Sequence, residues 1–333
     1  VYLADSLFLP REVEQNLYEK LSGFEIQFGE KKEKMVAMPD WLIHSPELFD
    51  DAITACATVA EAHAKTKKES RTTLDKYMTV NVPELHKLLE HEAVVDALWS
   101  FTEKLADLIQ QEKNTIWSFI IRNSYRPAML KQQFDFIIGN PPWLSYRFIS
   151  DPEYQDEVKR RAVNIYKIAP KSQRLITQME LGTVFLAHSM ATFANTHALL
   201  AFVMPRSVLS ADQHRNLIER KYSSEAKLKL TGYWDLWEVA PLFNVPACVL
   251  FAKRDPLRGS PKDKLPAVDW RGKLPGRDVA WSVARKYLST EEKEGRVIYL
   301  GSRPALSTAP GATSPTEPSK YLGAFKQGAT IVP

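Results

Sequence analysis

Phe134-Asp135-Phe136-Ile137-Ile138-Gly139-Asn140-Pro141-Pro142-Trp143 is the stretch on which the reading of this chain turns. Apart from Asp135 its first five residues are apolar, the length and character of a strand buried on both faces of a parallel sheet. Gly139 to Trp143 then stops the strand abruptly. Downstream, a helix is predicted from about Thr177 to Ala194, then a buried strand from Ala198 to Met204 ended by Pro205. A helix from Asp212 to Tyr222 follows, and strands around Ala226 to Tyr233 and Ala247 to Ala252. This alternation predicts the α/β class with an open sheet.

Upstream, Val1 to Asp5 reads as a short buried strand and Arg11 to Leu21 as a helix started by Pro10. Phe24 to Phe28 and Met35 to Met38 flank a charged turn, and a hairpin is expected there. About residues 40 to 130 form a helical insertion, with Leu88, Leu89, Val95, Leu98, Phe101, Leu105 and Ile109 recurring at steps of three and four. Residues 1–252 are thus expected to be one domain. Beyond Lys253 lie 9 of the 21 prolines, which predicts a linker and the start of another domain over 253–333. The chain begins without methionine and ends on a strand-like run, so it is read as an internal piece of a longer protein.

Composition narrows the class. In 333 residues, 44% hydrophobic and 25% charged, no apolar run approaches the roughly 18 residues of a membrane span, so no membrane partner is expected. Two distant cysteines, Cys56 and Cys248, make neither a disulfide framework nor a zinc site, which fits a reducing, cytoplasmic compartment. The closest glycines, Gly272 and Gly276, are four apart, so no G-x-G exists and a complete dinucleotide fingerprint or P-loop is excluded. From Lys253 onward 15 Lys and Arg stand against 8 Asp and Glu, a balance of +7, leaving −3 for the first 252 residues. The basic end is the expected polyanion contact.

In open α/β sheets ligands bind beyond the carboxyl ends of strands, where Asn140 is expected to sit. Two consecutive prolines fix φ and offer no N–H, leaving the carbonyls of Asn140 and Pro141 in a rigid turn free to accept from a ligand. The Asn140 amide adds an acceptor and Trp143 a broad π face. Two acceptors beside a stacking plate suit a planar group carrying an exocyclic amine.

The run FDFIIGNPPW closely resembles the N-P-P-[YFW] motif of the amino-group methyltransferases, above all the adenine-N6 DNA methyltransferases of restriction-modification and phage-defence systems. Further segments extend the likeness. Asn114-Thr115-Ile116-Trp117 with Arg122, Asn123 and Pro127 resembles a helical lead-in of large methyltransferases fused to a nuclease. Val1 to Leu7 resembles the strand end whose acidic residue binds the adenine of S-adenosylmethionine, and Ala201 to Ser207 the next core strand and turn. Leu242 to Leu250 resembles the hairpin that sets an aromatic ring against the flipped base, and Gly323 to Val332 the entry to a target-recognition domain.

The resemblance implies a partial Rossmann-like methyltransferase core. It implies S-adenosylmethionine as cofactor, double-stranded DNA as partner, and fused or associated nuclease and specificity modules. The catalytic residues it implies are Asn140, Pro141, Pro142 and Trp143, with Phe243 on the flipped base and Asp5, Ser6 and Gly139 on the cofactor. No metal is implied. The family's glycine-rich cofactor loop would precede Val1, and the helical motif near Glu180 to Phe185 matches only loosely. A protein-glutamine or RNA-guanine N-methyltransferase uses a similar platform and stays open at this point, as does a non-catalytic DNA-binding subunit. His86 and His91 are five apart, off the spacing of two ligands on one helix face, and His188, His197 and His214 have no ligand-spaced partners. Asp151, Glu157 and Lys159 superficially resemble a nuclease set but lie in a helix-like run.

Overall fold

The computed structural model describes residues 7, 11–13, 23–28, 33–39, 42, 45–86, 92–110 and 130–316. They fall into two compact units, Val1–Lys131 and Gln132–Pro333.

In the first unit a three-stranded antiparallel sheet is formed by β1 (Arg11–Val13), β2 (Gly23–Phe28) and β3 (Glu33–Pro39), in that order. The expected hairpin is present, with Phe24 opposite Met38. At the start of the expected helix, Arg11 to Val13 instead pair with Gly23 to Glu25, cross-strand pairing overriding the local helical pattern, and residues 14–21 lie outside the described residues. Three longer helices follow: α1 (Pro46–Thr66), α2 (Arg71–Asn81) and α3 (Glu92–Gln110). Pro46 suits the first turn of α1, where no N–H partner is needed, and Lys67 closes it in the left-handed region at φ 52°, its N–H donating to His63 O at 2.8 Å. Phe49, Ile53, Cys56 and Val59 of α1 recur on one face and join Leu74, Met78, Leu98 and Phe101 in a common core. Burial pushes the Cys56 thiol up to about 12. Val1 to Asp5, Leu88 and Leu89, and 111–129 lie outside the described residues.

The second unit is built on a seven-stranded mixed sheet. Its strands are β4 (Phe134–Gly139), β5 (Ala194–Pro205), β6 (Leu228–Ala240), β7 (Ala247–Arg254), β8 (Leu265–Lys273), β9 (Leu288–Leu300) and β10 (Arg303–Ser307), in the order β10-β9-β8-β6-β7-β5-β4. β4 and β5 run parallel, joined through α4 (Pro152–Lys159) and α5 (Leu181–Thr192). β7 lies antiparallel between β5 and β6. β6 and β8 are again parallel. The carboxyl ends of β4, β5, β6 and β8 therefore share one edge of the sheet.

Residues on β5 alternate in burial as a strand's should. Leu200, Phe202 and Met204 are buried on the side where α5 packs, and α5 is itself buried nearly all round. The other face is open: Phe136 is 68% and Ile138 83% exposed, and Leu199, opposite Phe136, is 49% exposed. The expectation of a β4 buried on both faces is thus corrected. An apolar run records only what a strand can bury. Among the described residues β4 is an edge strand, paired to β5 alone.

Two further readings change. The helix expected over Asp212 to Tyr222 is shorter: a 3₁₀ turn at Asp212–His214 runs into one α turn, Arg215–Ile218, and stops before Arg220, whose φ of 56° a right-handed helix does not admit. Past Lys253 the sheet continues through β8, β9 and β10, and the extended piece at Arg296 to Leu300 is the end of a 13-residue strand. Of the described prolines there, Pro256, Pro261 and Pro275 lie between strands, while Pro266 and Pro304 lie inside β8 and β10. Among the described residues no helix is long and apolar enough to cross a membrane.

Candidate active site

β4 ends at Gly139, opposite Phe202 of β5. The Phe202 ring lies so close that a Cβ at residue 139 would meet its Cε1 at 3.2 Å, so packing alone accounts for the glycine. Asn140 follows, exposed, at the carboxyl edge, and Pro141 turns inward to a buried position. Gly182 of α5 makes room for it, since a Cβ there would stand 3.3 Å from Pro141 Cγ and 3.2 Å from the Met204 sulfur. Pro142 is exposed and Trp143 half-buried.

Trp143 is fixed by its indole Nε1–H, which donates to the Val203 carbonyl at 3.2 Å. Its ring centre lies 5.1 Å from that of Phe243, tilted by 60°. Phe243 sits in the loop between β6 and β7, and this loop is tied back to the end of β5 where Arg206 N–H donates to Pro246 O at 2.8 Å. Asn140, Pro141, Pro142, Trp143, Gly139 and Phe243 thus share one neighbourhood. Asp5 and Ser6 lie outside the described residues.

Beyond Trp143 the chain is stitched to the start of α5. Leu181 N–H donates to Leu144 O at 2.9 Å, Tyr146 N–H donates to Met179 O at 2.8 Å, and Ser145 bridges Glu180. Below this seam lies a polar network that sequence spacing does not reveal. Glu180 Oε2 meets His214 Nε2 at 2.6 Å, and the Ser207 hydroxyl donates to Glu180 Oε1 at 2.7 Å. His214 is 1% exposed, and its Nδ1 lies 3.2 Å from the Thr183 hydroxyl. Burial pushes the Glu180 carboxyl upward, yet the His214 hydrogen bond and charge together with the Ser207 hydroxyl outweigh it and hold the group below the usual carboxylate range.

A second pair closes the same edge. Arg206 Nε donates to both oxygens of Asp235 at 2.9 Å, and its guanidinium lies 5.1 Å from the Trp237 ring centre. The two acids of the nuclease-like trio are accounted for structurally: Asp151 caps α4 by accepting from Glu153 and Tyr154 N–H, and Glu157 pairs with Arg160 and Arg161. His214 and Glu180 are 34 residues apart, so their partnership carries no spacing signal. The one signal for Glu180 in the sequence is the loosely matched helical motif near Glu180 to Phe185.

A mixed sheet with helices on it, ending in an Asn-Pro-Pro-Trp turn at its carboxyl edge, has the α/β Rossmann-like fold of methyltransferases. The model of the Eco57I restriction-modification methylase family matches residues 64–231, half of the chain, and the chain belongs to this family. Among solved structures it is similar to the DrdV–DNA complex, at 12% identity, TM-score 0.32, over 73% of this chain and 30% of that one. It is likewise similar to the ATP-dependent Type ISP restriction-modification enzyme LlaBIII bound to DNA, at 9% identity, TM-score 0.34, over 72% and 20%. A modification subunit of a putative type I restriction enzyme from Vibrio vulnificus YJ016 matches at 12% identity, TM-score 0.26, over 71% and 54%. The chain spans less than a third of the DrdV and LlaBIII chains. No curated protein sequence matches it.

Proposed function

We propose that this chain is part of a DNA methyltransferase of a restriction-modification or phage-defence system, transferring a methyl group from S-adenosylmethionine to the N6 amino group of adenine. The observation that carries the reading is Asn140 and Pro141 standing at the carboxyl edge beside a Trp143 anchored from below. An adenine inside a duplex is out of reach, so the base is flipped out. In this reading the Asn140 side-chain oxygen and the Pro141 carbonyl accept the two N6 hydrogens and turn the nitrogen lone pair out of the ring's conjugation. That orientation suits direct in-line attack with no covalent enzyme intermediate. Trp143 stacks on the base, worth roughly 1–3 kcal/mol, with Phe243 as the second face.

S-adenosylmethionine, when bound, supplies an electrophilic methyl on a sulfonium. Of the residues assigned to it, Gly139 offers backbone at the end of β4, though its missing side chain is already explained by Phe202. Asp5 and Ser6 stay assigned by resemblance. Double-stranded DNA is the proposed partner, with nuclease and specificity modules fused or associated. The lead into target recognition is proposed to follow β10.

The test is transfer of labelled methyl from S-adenosylmethionine to DNA, RNA and protein by the full-length protein that carries this chain, with Asn140→Ala as control. Label recovered as N6-methyladenine in DNA and lost in the variant supports the reading. Label in RNA or protein changes the substrate, and no transfer by the unaltered protein removes the catalytic assignment.

A further inference from the structure

Glu180 is bridged through its backbone to Ser145, two residues past Trp143, and an acid at this place invites the role of cofactor ligand or proton acceptor. Its geometry gives a different answer. Both oxygens are already engaged, Oε1 by the Ser207 hydroxyl at 2.7 Å and Oε2 by His214 Nε2 at 2.6 Å. Its side chain is 12% exposed and that of His214 1%. A carboxylate with each oxygen already bonded to a protein donor, and only 12% exposed, is held by the protein on both sides.

What those bonds connect is more telling. The backbone of Glu180 is joined to Ser145, and its neighbour Leu181 to Leu144, so it travels with the loop that continues from Asn140–Trp143. Its side chain grips Ser207, two residues past Pro205, the end of β5. That strand carries the Val203 carbonyl that orients Trp143, and Arg206 beside Ser207 holds the loop that carries Phe243. One side chain therefore links the two pieces of backbone that set the spacing between Trp143 and Phe243.

From this we infer that Glu180 is a positioning residue for methyl transfer: it locks the end of β5 and the helical turn at His214 to the catalytic loop, holding the Val203 carbonyl and hence Trp143 in register with Asn140. The inference rests on the proposed function for its kinetic part, while its structural part stands by itself. A displacement of about 1 Å at a reacting centre costs on the order of 100-fold in rate.

The experiment uses the full-length protein with Glu180→Ala, Glu180→Gln and Ser207→Ala, read in two ways. First, ¹⁵N-tryptophan labelling gives one indole signal per tryptophan, eight of them from this chain, and Trp143→Phe identifies the one from Trp143. That signal is expected to move in Glu180→Ala and Ser207→Ala and to stay near its place in Glu180→Gln, which keeps an acceptor for Ser207. Second, kcat is expected to fall about 100-fold in Glu180→Ala with the KM for S-adenosylmethionine unchanged, and to recover to within about tenfold of the unaltered protein in Glu180→Gln. An unmoved Trp143 signal in both Ser207→Ala and Glu180→Ala overturns the inference, as does a raised KM for S-adenosylmethionine at unchanged kcat, the mark of a cofactor ligand. Should Glu180→Ala not fold, Ser207→Ala carries the decision, since it removes one bond and leaves the Glu180–His214 contact in place. Activity that survives Asn140→Ala counts against the proposed function alone, and the Trp143 signal still decides the role of Glu180.

Discussion

Trp143 and Phe243 touch each other: their ring centres are 5.1 Å apart and their planes are inclined by 60°. A base held between two rings needs about 3.5 Å on each side, so about 7 Å in all. The two rings therefore occupy the place a sandwiched base would take, and must part by about 2 Å to admit it. Phe243 is the ring free to move, being 41% exposed on a loop, whereas Trp143 is pinned to Val203.

Phe243→Ala is accordingly expected to weaken the grip on a flipped base by roughly 1–3 kcal/mol, or about 5- to 150-fold in the equilibrium for extrusion. The fluorescence of 2-aminopurine placed at the target position checks this. Unchanged fluorescence in the variant would show that Phe243 is not the second face.

Trp143→Phe keeps an aromatic surface but deletes the bond to Val203. A loss of about 0.5–1.5 kcal/mol in stability is expected from that bond, with a larger proportional loss in methyl transfer because the ring is no longer held in one orientation. Urea unfolding alongside initial rates compares the two.

Gly182→Ala tests the support under Pro141. The new methyl meets the flexible end of Met204, which yields, and Pro141 Cγ at 3.3 Å, which belongs to a rigid turn. A modest change in stability, within about 1 kcal/mol, is expected together with a fall in kcat and little change in DNA affinity. If kcat stays put, the turn is not position-sensitive.

The Glu180 carboxyl also makes stability depend on acid. Its folded pKa lies below its ordinary value, with desolvation opposing and the His214 and Ser207 contacts prevailing. Its contribution is therefore fully present above about pH 4.3, the unperturbed glutamate value, and is lost as pH falls through the lower folded value. Melting curves from pH 3 to pH 7 should show a gap between the unaltered protein and Glu180→Gln that closes at the acid end. A gap independent of pH would contradict the assignment.

In the helical unit, Phe101 is fully buried among Phe49, Cys56 and Leu98. Phe101→Ala should cost about 3–5 kcal/mol. Cys56, raised to about 12 and enclosed in the same core, should resist alkylation in the native protein and react only on unfolding. Rapid labelling without unfolding would place that core in doubt.

Much of this architecture is written in local patterns. The turn at Asn140–Trp143 is legible because its chemistry and its strand are contiguous, and the hairpin at Phe24 to Met38 because its turn lies between its strands. The helix repeats of Phe101 and Leu105 are legible for the same reason. What sequence hides is partnership at a distance. Nothing near Glu180 names His214, nothing near Arg206 names Asp235, and the apolar side chains of β4 say nothing of whether a neighbour covers them. The strand at Arg11 was masked by a helical spacing that pairing with Gly23 to Glu25 overrides. The halt at Arg220 depends on a backbone angle that no composition announces.

The open side of β4 has a colloidal consequence. Phe136, Ile138 and Leu199 form a greasy, exposed surface next to a strand edge that, among the described residues, no other strand pairs. Such an edge is a template for another strand. In concentrated solution this chain should self-associate through it, bind hydrophobic dyes, and gain solubility when Ile138 is replaced by lysine, a purification handle that leaves the turn at Asn140 untouched.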